Sequence, residues 1–247
     1  MPMDDLTLDR SYARGDKGKK VKLIQEWLVL QGNHISIDGG FGPATETAVK
    51  QFQRKKGLAE NGSVGGDTFD ALVAPMVAAM APIENGPRSL GPLVVAYAKR
   101  HLAQEPREVG GENRGPWVRL YMGGREGPEW LWCAGFSCYV LKQASETLGV
   151  PMPIPASFSC DVLAGSAKAK QRFVAGKAGF DPAQVGPGSL FLVRRTPTDW
   201  CHVGIVVKAD AETFVTIEGN TNDNGSPDGF EVCQRIRGYS GKDFVVV

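Results

Sequence analysis

Near Gly186 the chain changes its periodicity, and that change limits the folds open to it. Before it, apolar residues recur at the three-and-four spacing of amphipathic helices. After it come five short segments rich in Val, Ile and Phe: GSLFLVRR, HVGIVVK, TFVTIEGN, GFEVCQRIRG and KDFVVV, separated by turn residues. Helices first and strands after predict an α+β class in which helices pack on an antiparallel sheet. The chain has 247 residues, 42% hydrophobic and 22% charged, which is enough for one large domain or two smaller ones.

The helical part subdivides. From Lys19 to Gly32, Val21, Ile24 and Leu28 share a face with Trp27 beside them, and Gly32 stops the helix. In SIDGGFGPATETAVKQFQRKKGL a tight turn at Asp38-Gly39-Gly40 leads to Pro43 at a first helical position, with Ala48, Val49 and Phe52 facing inward and Gly57 as the end. Asp67 is placed to cap a third, short helix through Leu72 and Val73. These three helices form a small bundle, expected over residues 1–80. The Ala-, Pro- and Gly-rich run from Pro75 to Pro92 reads as a connector, with the linker proper at 81–91 and a second domain over 92–247. Within that domain helices are expected at Leu93–Gln104, Pro116–Met122 and, longest, Pro128–Leu148.

Lys and Arg number 28 against 27 for Asp and Glu, so charge makes no case for nucleic acid or an anionic membrane as partner. No apolar run is long enough to span a bilayer, and MPMDDLTLDRSYARGDKGKK lacks the basic-then-apolar order of a secretory signal. The expectation is a protein made in the cytoplasm without stable membrane insertion. The five cysteines, at 133, 138, 160, 201 and 233, are odd in number and form no CxxC pair, which disfavours a disulfide scaffold or a zinc site. No cofactor and no metal are expected.

In EWLWCAGFSCYV, Cys133 falls in the first turn or so of the long helix, where unpaired backbone N–H groups and the positive end of the helix dipole favour a thiolate. An arbitrary cysteine in an apolar stripe is more often core. A second feature weighs against core: CHVGIVV and TIEGNT are neighbouring strand candidates that contain His202, Glu218 and Asn220. His202, at a strand start, can take the thiol proton and return it to a leaving amine. Glu218 and Asn220, two positions apart, point to one face of a strand; either can fix the histidine tautomer, and the other can bind substrate or the oxyanion.

Two resemblances follow from these residues. RGDKGKKVKLIQEWL, DGGFGPATETAVKQFQRKKGL and GGDTFDAL, over about residues 10–75, resemble the peptidoglycan-binding domain attached to many cell-wall hydrolases. Asp38, Phe41 and Thr45 are the candidate sugar or peptide contacts, on the argument that a turn exposes them beside a helix start. NRGPWVRLYMGGREGPEWLWCAGFSCYVL, GSLFLVRR, CHVGIVV and TIEGNT, over about 92–247, resemble the CHAP amidase and endopeptidase family of papain-like cysteine peptidases.

That resemblance implies Cys133 as nucleophile, His202 as base, and Glu218 with Asn220 completing the site; Trp132 is a further candidate substrate contact. Asn113, with Glu112 and Arg114, either lines the substrate groove or caps the following helix. Cys201 departs from the small residue more usual before the histidine and is expected free, while Cys138, Cys160 and Cys233 are expected to be structural. GGREGPEW lacks the Asp-rich loop by which some relatives hold calcium. Together the resemblances imply a monomeric hydrolase that cuts a peptidoglycan amide, either between the muramyl lactyl group and L-alanine or within the stem or cross-bridge. The expected setting is a phage-type endolysin or an injected antibacterial effector acting in the periplasm or wall, the effector with a cognate immunity protein. A noncatalytic wall-binding protein and a cysteine hydrolase of another amide are the competing readings.

Overall fold

A computed structural model describes residues 3–177, 180–222 and 229–247. Two compact units separate: the chain up to Ala78 together with Arg107–Pro128, and Ala79–Pro106 together with the chain from Glu129 onward. The contacts therefore group residues 107–128 with the first unit, where a linear division at 81–91 would put them in the second.

In the first unit, helices α1 (Lys19–Leu30), α2 (Pro43–Lys56) and α3 (Gly66–Met80) bury Val21, Ile24, Trp27, Leu28, Val49, Phe52, Phe69 and Leu72. The third helix is longer than its expected short form: it runs through Pro75, which the sequence assigned to a connector, and Asp67 lies inside its first turn. Two buried glutamines organise the turns that precede α2 and α3 in the same way. Gln25 Nε2 donates to Asp38 Oδ1 (2.9 Å), the Gly40 carbonyl (3.0 Å) and Thr45 Oγ1 (3.1 Å), while its Oε1 accepts from Gly39 N–H. Gln53 does likewise with Asn61 Oδ1, the Ser63 carbonyl, Thr68 Oγ1 and Gly62 N–H. DGGFGPAT and NGSVGGDT are thus two copies of one device, in which a side-chain amide satisfies turn groups that burial would otherwise leave unpaired.

The segment 107–128 forms the short helix α5 (Pro116–Tyr121). Trp117 meets Trp27 edge to face, with ring centroids 6.3 Å apart. Arg119 binds three carboxylates, Asp5 at 2.6 Å, Glu26 at 2.7 Å and Glu126 at 2.7 Å. One charge network and one aromatic pair, both nonlocal, put this segment in the first unit.

The second unit holds α4 (Leu90–Leu102), α6 (Cys133–Leu148) and α7 (Cys160–Ala169), with strands β1 (Phe173–Ala175), β2 (Leu190–Thr196), β3 (Asp199–Ala209), β4 (Thr213–Thr221), β5 (Glu231–Gly238) and β6 (Lys242–Val245). The strands form one antiparallel sheet in the order β1-β6-β2-β3-β4-β5. This is the α+β architecture that the order of periodicities predicts; α7 and β1 are additions to it. Helix α6 packs on β3 and β4, and α7 on β3. Val185, Phe191, Val206, Phe214 and Phe244 form a buried hydrophobic cluster. No helix among the described residues is long and apolar enough to cross a membrane.

Candidate active site

Cys133 is the first residue of α6, after Trp132 at the N-cap, and is buried. The first N–H groups of a helix have no partner within it, so the thiol sits where an anion is favoured. On β3, His202 is 1% exposed and donates from Nε2 to Glu218 Oε2 at 2.9 Å. Its other ring nitrogen, Nδ1, is buried and has no hydrogen-bonding partner among the described residues. The Cys133 thiol interacts with the His202 ring.

Glu218 is fully buried, and four donors serve its carboxylate. Besides His202, Thr216 Oγ1 donates to Oε1 at 2.5 Å, and the Arg237 fork donates from Nε to Oε1 at 2.6 Å and from Nη2 to Oε2 at 2.5 Å. The guanidinium of Arg237 lies over the Phe191 ring, 5.3 Å from its centroid. Two glycines make this crowding possible. A Cβ at Gly204 would stand 2.7 Å from both Glu218 Cγ and Phe191 Cε1, and one at Gly219 would stand 2.8 Å from Phe136 Cβ and from Trp132 Cζ3. The first glycine clears the path from His202 to Glu218, and the second lets β4 close on the start of α6.

The charges follow from these contacts. The Cys160 thiol, hydrogen-bonded to Cys133, and the His202 ring hold the Cys133 thiol well below the ordinary thiol range, against burial, which pushes it up. Burial pushes His202 down, but the Cys133 sulfur and the Glu218 carboxylate overcome it and raise the ring to about 9. Burial pushes Glu218 up, and Arg237 and His202 overcome it and hold the carboxyl down to about 2. Thiolate, imidazolium, carboxylate and guanidinium then alternate in sign, so a buried line of four charges is neutral as a whole.

The structure brings Cys133, His202 and Glu218 together. Glu218 holds the histidine ring through its contact at Nε2. Asn220 is buried at φ 55°, inside a bulge where Glu218 pairs with Cys233 and Thr221 with Glu231, so simple two-residue alternation from Glu218 does not extend through it.

Several expected substrate contacts need correction. Phe41 and Thr45 are 2% and 3% exposed: the turn directs the first into the core and ties the second to Gln25, rather than presenting them. Trp132 is buried against Gly219. Leu131, Val150 and Phe158 are exposed apolar residues in the loops before α6 and α7, and Trp130 meets Phe158 edge to face. Asn113 belongs to the first unit, where it is buried, donates from Nδ2 to the Pro128 carbonyl at 3.2 Å and gives its N–H to Glu108. Asp38 is exposed, although one oxygen accepts from Gln25 and Gly40. With Lys17, Gly18, Lys19, Lys22, Gly39 and Gly40 it lines an open groove of ≈ 660 Å³ in the first unit.

Sequence reasoning missed Thr216, Arg237 and Cys160. Thr216 carried a signal, since it lies two residues before Glu218 on one strand. Arg237 and Cys160 carried none, because strand register and helix packing place them.

Residues 17–72 match the family profile described as "Putative peptidoglycan binding domain". Those residues are similar to a peptidoglycan-binding domain. The chain is 36% identical over 69 residues to the Zinc D-Ala-D-Ala carboxypeptidase of Streptomyces albus G, covering 27% of each protein. To the N-acetylmuramoyl-L-alanine amidase CwlL of Bacillus licheniformis it is 34% identical over 83 residues, 32% of this chain and 23% of that protein. A solved structure, the Burkholderia AP3 phage endolysin, is 35% identical over 26% of this chain and 25% of its own, with a TM-score of 0.26. The chain spans only 15% to 27% of the length of the curated relatives it matches. The groove at Asp38 lies within the residues that match the family profile.

Proposed function

We propose that the chain is a peptidoglycan hydrolase that cuts an amide bond of the wall by cysteine catalysis, with a second domain akin to the CHAP family of papain-like amidases and endopeptidases. The observation that carries this reading is the His202 ring, which donates to buried Glu218 at Nε2 and interacts with the Cys133 thiol at the start of α6. A merely structural cysteine does not need a histidine held in one tautomer beside it at a helix N-terminus.

The chemistry runs from the ion pair. His202 Nδ1 takes the Cys133 proton; the thiolate attacks the amide carbonyl carbon, and backbone N–H groups at the start of α6 face the oxygen that becomes negative. The imidazolium then protonates the departing amine, leaving a thioester on Cys133. Water, deprotonated by His202, attacks the thioester, releases the carboxylic acid and restores the thiol. Throughout, Glu218 holds the ring, and Arg237 with Thr216 holds Glu218. The peptidoglycan-binding domain keeps the catalytic unit beside many equivalent bonds of an insoluble polymer, raising their effective concentration. Asp38 and the lysines of the nearby groove are the proposed wall contacts. An endolysin or an injected effector is the proposed setting.

The test is mass spectrometry of the soluble products released from purified peptidoglycan by the wild type, Cys133→Ala and His202→Ala. Stem peptides freed from intact glycan identify an N-acetylmuramoyl-L-alanine amidase, and shortened muropeptides identify an endopeptidase. Both variants are expected to release nothing while still sedimenting with the wall. Equal release by wild type and Cys133→Ala would sink the mechanism, and no release by any of them would favour a noncatalytic wall-binding protein.

A further inference from the structure

The first unit holds a second cavity, of ≈ 460 Å³, which shares Lys19 and Lys22 with the groove at Asp38. Arg119, Asp5, Glu26 and Glu126 also line it, and all of these but Glu26 lie outside residues 17–72, which match the family profile. Arg119 donates from Nε to Asp5 Oδ2 at 2.6 Å, from Nη2 to Glu26 Oε2 at 2.7 Å and from Nη1 to Glu126 Oε2 at 2.7 Å, so three carboxylates share one guanidinium. The Glu26 side chain is only 3% exposed, yet its second oxygen, Oε1, stands 4.0 Å from Lys22 Nζ, and Oε1 of Glu126 stands 3.9 Å from Arg114 Nη1. Both gaps exceed hydrogen-bond length, and each carboxylate keeps an acceptor oxygen for another donor. The lysines are in the reverse state. Lys20 gives its ammonium to the carbonyls of Asp4 and Thr7, and exposed Lys19 has no ion pair among the described residues. They sit in the first turn of α1, which has no acidic residue and no side-chain cap, so the positive end of the helix adds to their charge.

We propose that this cavity binds the free end of the diamino acid in a wall stem peptide, a carbon that bears both an ammonium and a carboxylate. The ammonium donates to the spare oxygens of Glu26 and Glu126, and the carboxylate pairs with Lys19 and Lys22. This rests on the wall-hydrolase reading above and deepens it, by naming the part of the polymer that the first unit recognises. A simple anion would leave the oxygens of Glu26 and Glu126 unserved, and a simple cation would leave the lysines unpaired. Among the described residues no group of acids is placed to hold a metal ion. A zwitterion serves both sets at once, and a cavity of this size is in the range that takes a small ligand. Where stems carry 2,6-diaminopimelate, the uncrosslinked side chain ends in such a carbon; where the diamino acid is lysine, it ends in an ammonium alone. Cross-linking turns the ammonium into an amide, so the site selects uncrosslinked stems of diaminopimelate walls.

The experiment is calorimetric titration of the full chain carrying Cys133→Ala, which leaves the ligand uncut, with L-Ala-γ-D-Glu-meso-diaminopimelate-D-Ala and with its L-Lys counterpart, beside sedimentation with purified diaminopimelate-type sacculi. The diaminopimelate tetrapeptide is expected to bind, and the lysine one about tenfold more weakly. Glu26→Gln weakens binding of the first by about tenfold. Lys19→Ala does the same, and because Lys19 is exposed it reads the site even if the buried substitution unfolds the unit. Unchanged affinity in Lys19→Ala, or in a Glu26→Gln chain that melts as the parent does, overturns the assignment, as does equal affinity for the two tetrapeptides. Free meso-diaminopimelate binding as tightly as the tetrapeptide overturns the wall peptide as the source. No tetrapeptide binding by a chain that still sediments with sacculi overturns the site and leaves the wall reading in place, whereas loss of both overturns both.

Discussion

Arg237 is the residue whose removal tests the line of charges most severely. Its fork supplies two of the four hydrogen bonds to Glu218, whose side chain has no exposed surface. The Glu218 carboxyl is held at about 2 against an ordinary 4.5. That difference corresponds to about 3 kcal/mol in favour of the charged form, at roughly 1.4 kcal/mol per unit. Arg237→Met keeps the stem that covers Phe191 but leaves the carboxylate with His202 and Thr216 alone, so a loss of about 3 kcal/mol is expected at pH near 7, the usual cost of stranding a buried charge.

The sign with pH is fixed. A carboxyl with a depressed folded value stabilises above its unfolded value and loses that contribution as pH falls from about 4.5 towards about 2. The wild type should lose stability through this window, and Arg237→Met should lose less. Urea unfolding followed by tryptophan fluorescence, repeated in a Glu218→Gln background, isolates the pair. There Arg237→Met should cost little or nothing, because the arginine itself is then the stranded charge. A cost below about 1 kcal/mol in the single variant, or an equal cost in both backgrounds, would refute the argument that Arg237 acts through Glu218.

Two further outcomes are expected. His101 is fully buried, bonded through Nε2 to Gln143 Oε1 at 2.8 Å and set edge-on to Phe136 and Tyr139; burial pushes it down to about 4. A histidine depressed in the folded state stabilises above 6.5 and loses that contribution as pH falls towards 4, so the second unit should lose about 3 kcal/mol over that window, and His101→Phe should flatten the dependence in pH-series melts. Gly204→Ala puts a methyl 2.7 Å from Glu218 Cγ and should displace that carboxylate from His202. Wall hydrolysis is expected to fall about tenfold or more while wall binding in a sedimentation assay is unchanged, and unaltered turnover would show that Gly204 is not clearing that path.

What could be read from the sequence was what local chemistry specifies. The period of apolar residues places α1, α2, α4 and α6 and the strands from β2 onward, since that period reports which face is buried whatever the partner. Cys133 at a helix start and His202 and Glu218 on successive strands were legible for the same reason: each carries its chemistry together with its own element. α7 was missed because CDVLAGSAKA follows a serine-rich turn and has a weak apolar pattern, and α3 was cut short because Pro75 reads as a break.

Tertiary structure alone decided which side chains meet. Phe41 and Thr45 lie in an exposed-looking turn, but Gln25, more than a helical turn of chain away, draws that turn inward. Arg119 carries residues 107–128 into the first unit through acids at positions 5, 26 and 126, a grouping that no local pattern encodes. Arg237 reaches Glu218 because of the β4–β5 register. The sequence by itself determined the elements and the residue types able to perform the chemistry, because propensity and periodicity act over a few residues. Only the folded structure decided the charge state of the site, because desolvation and pairing depend on neighbours that are distant in the chain.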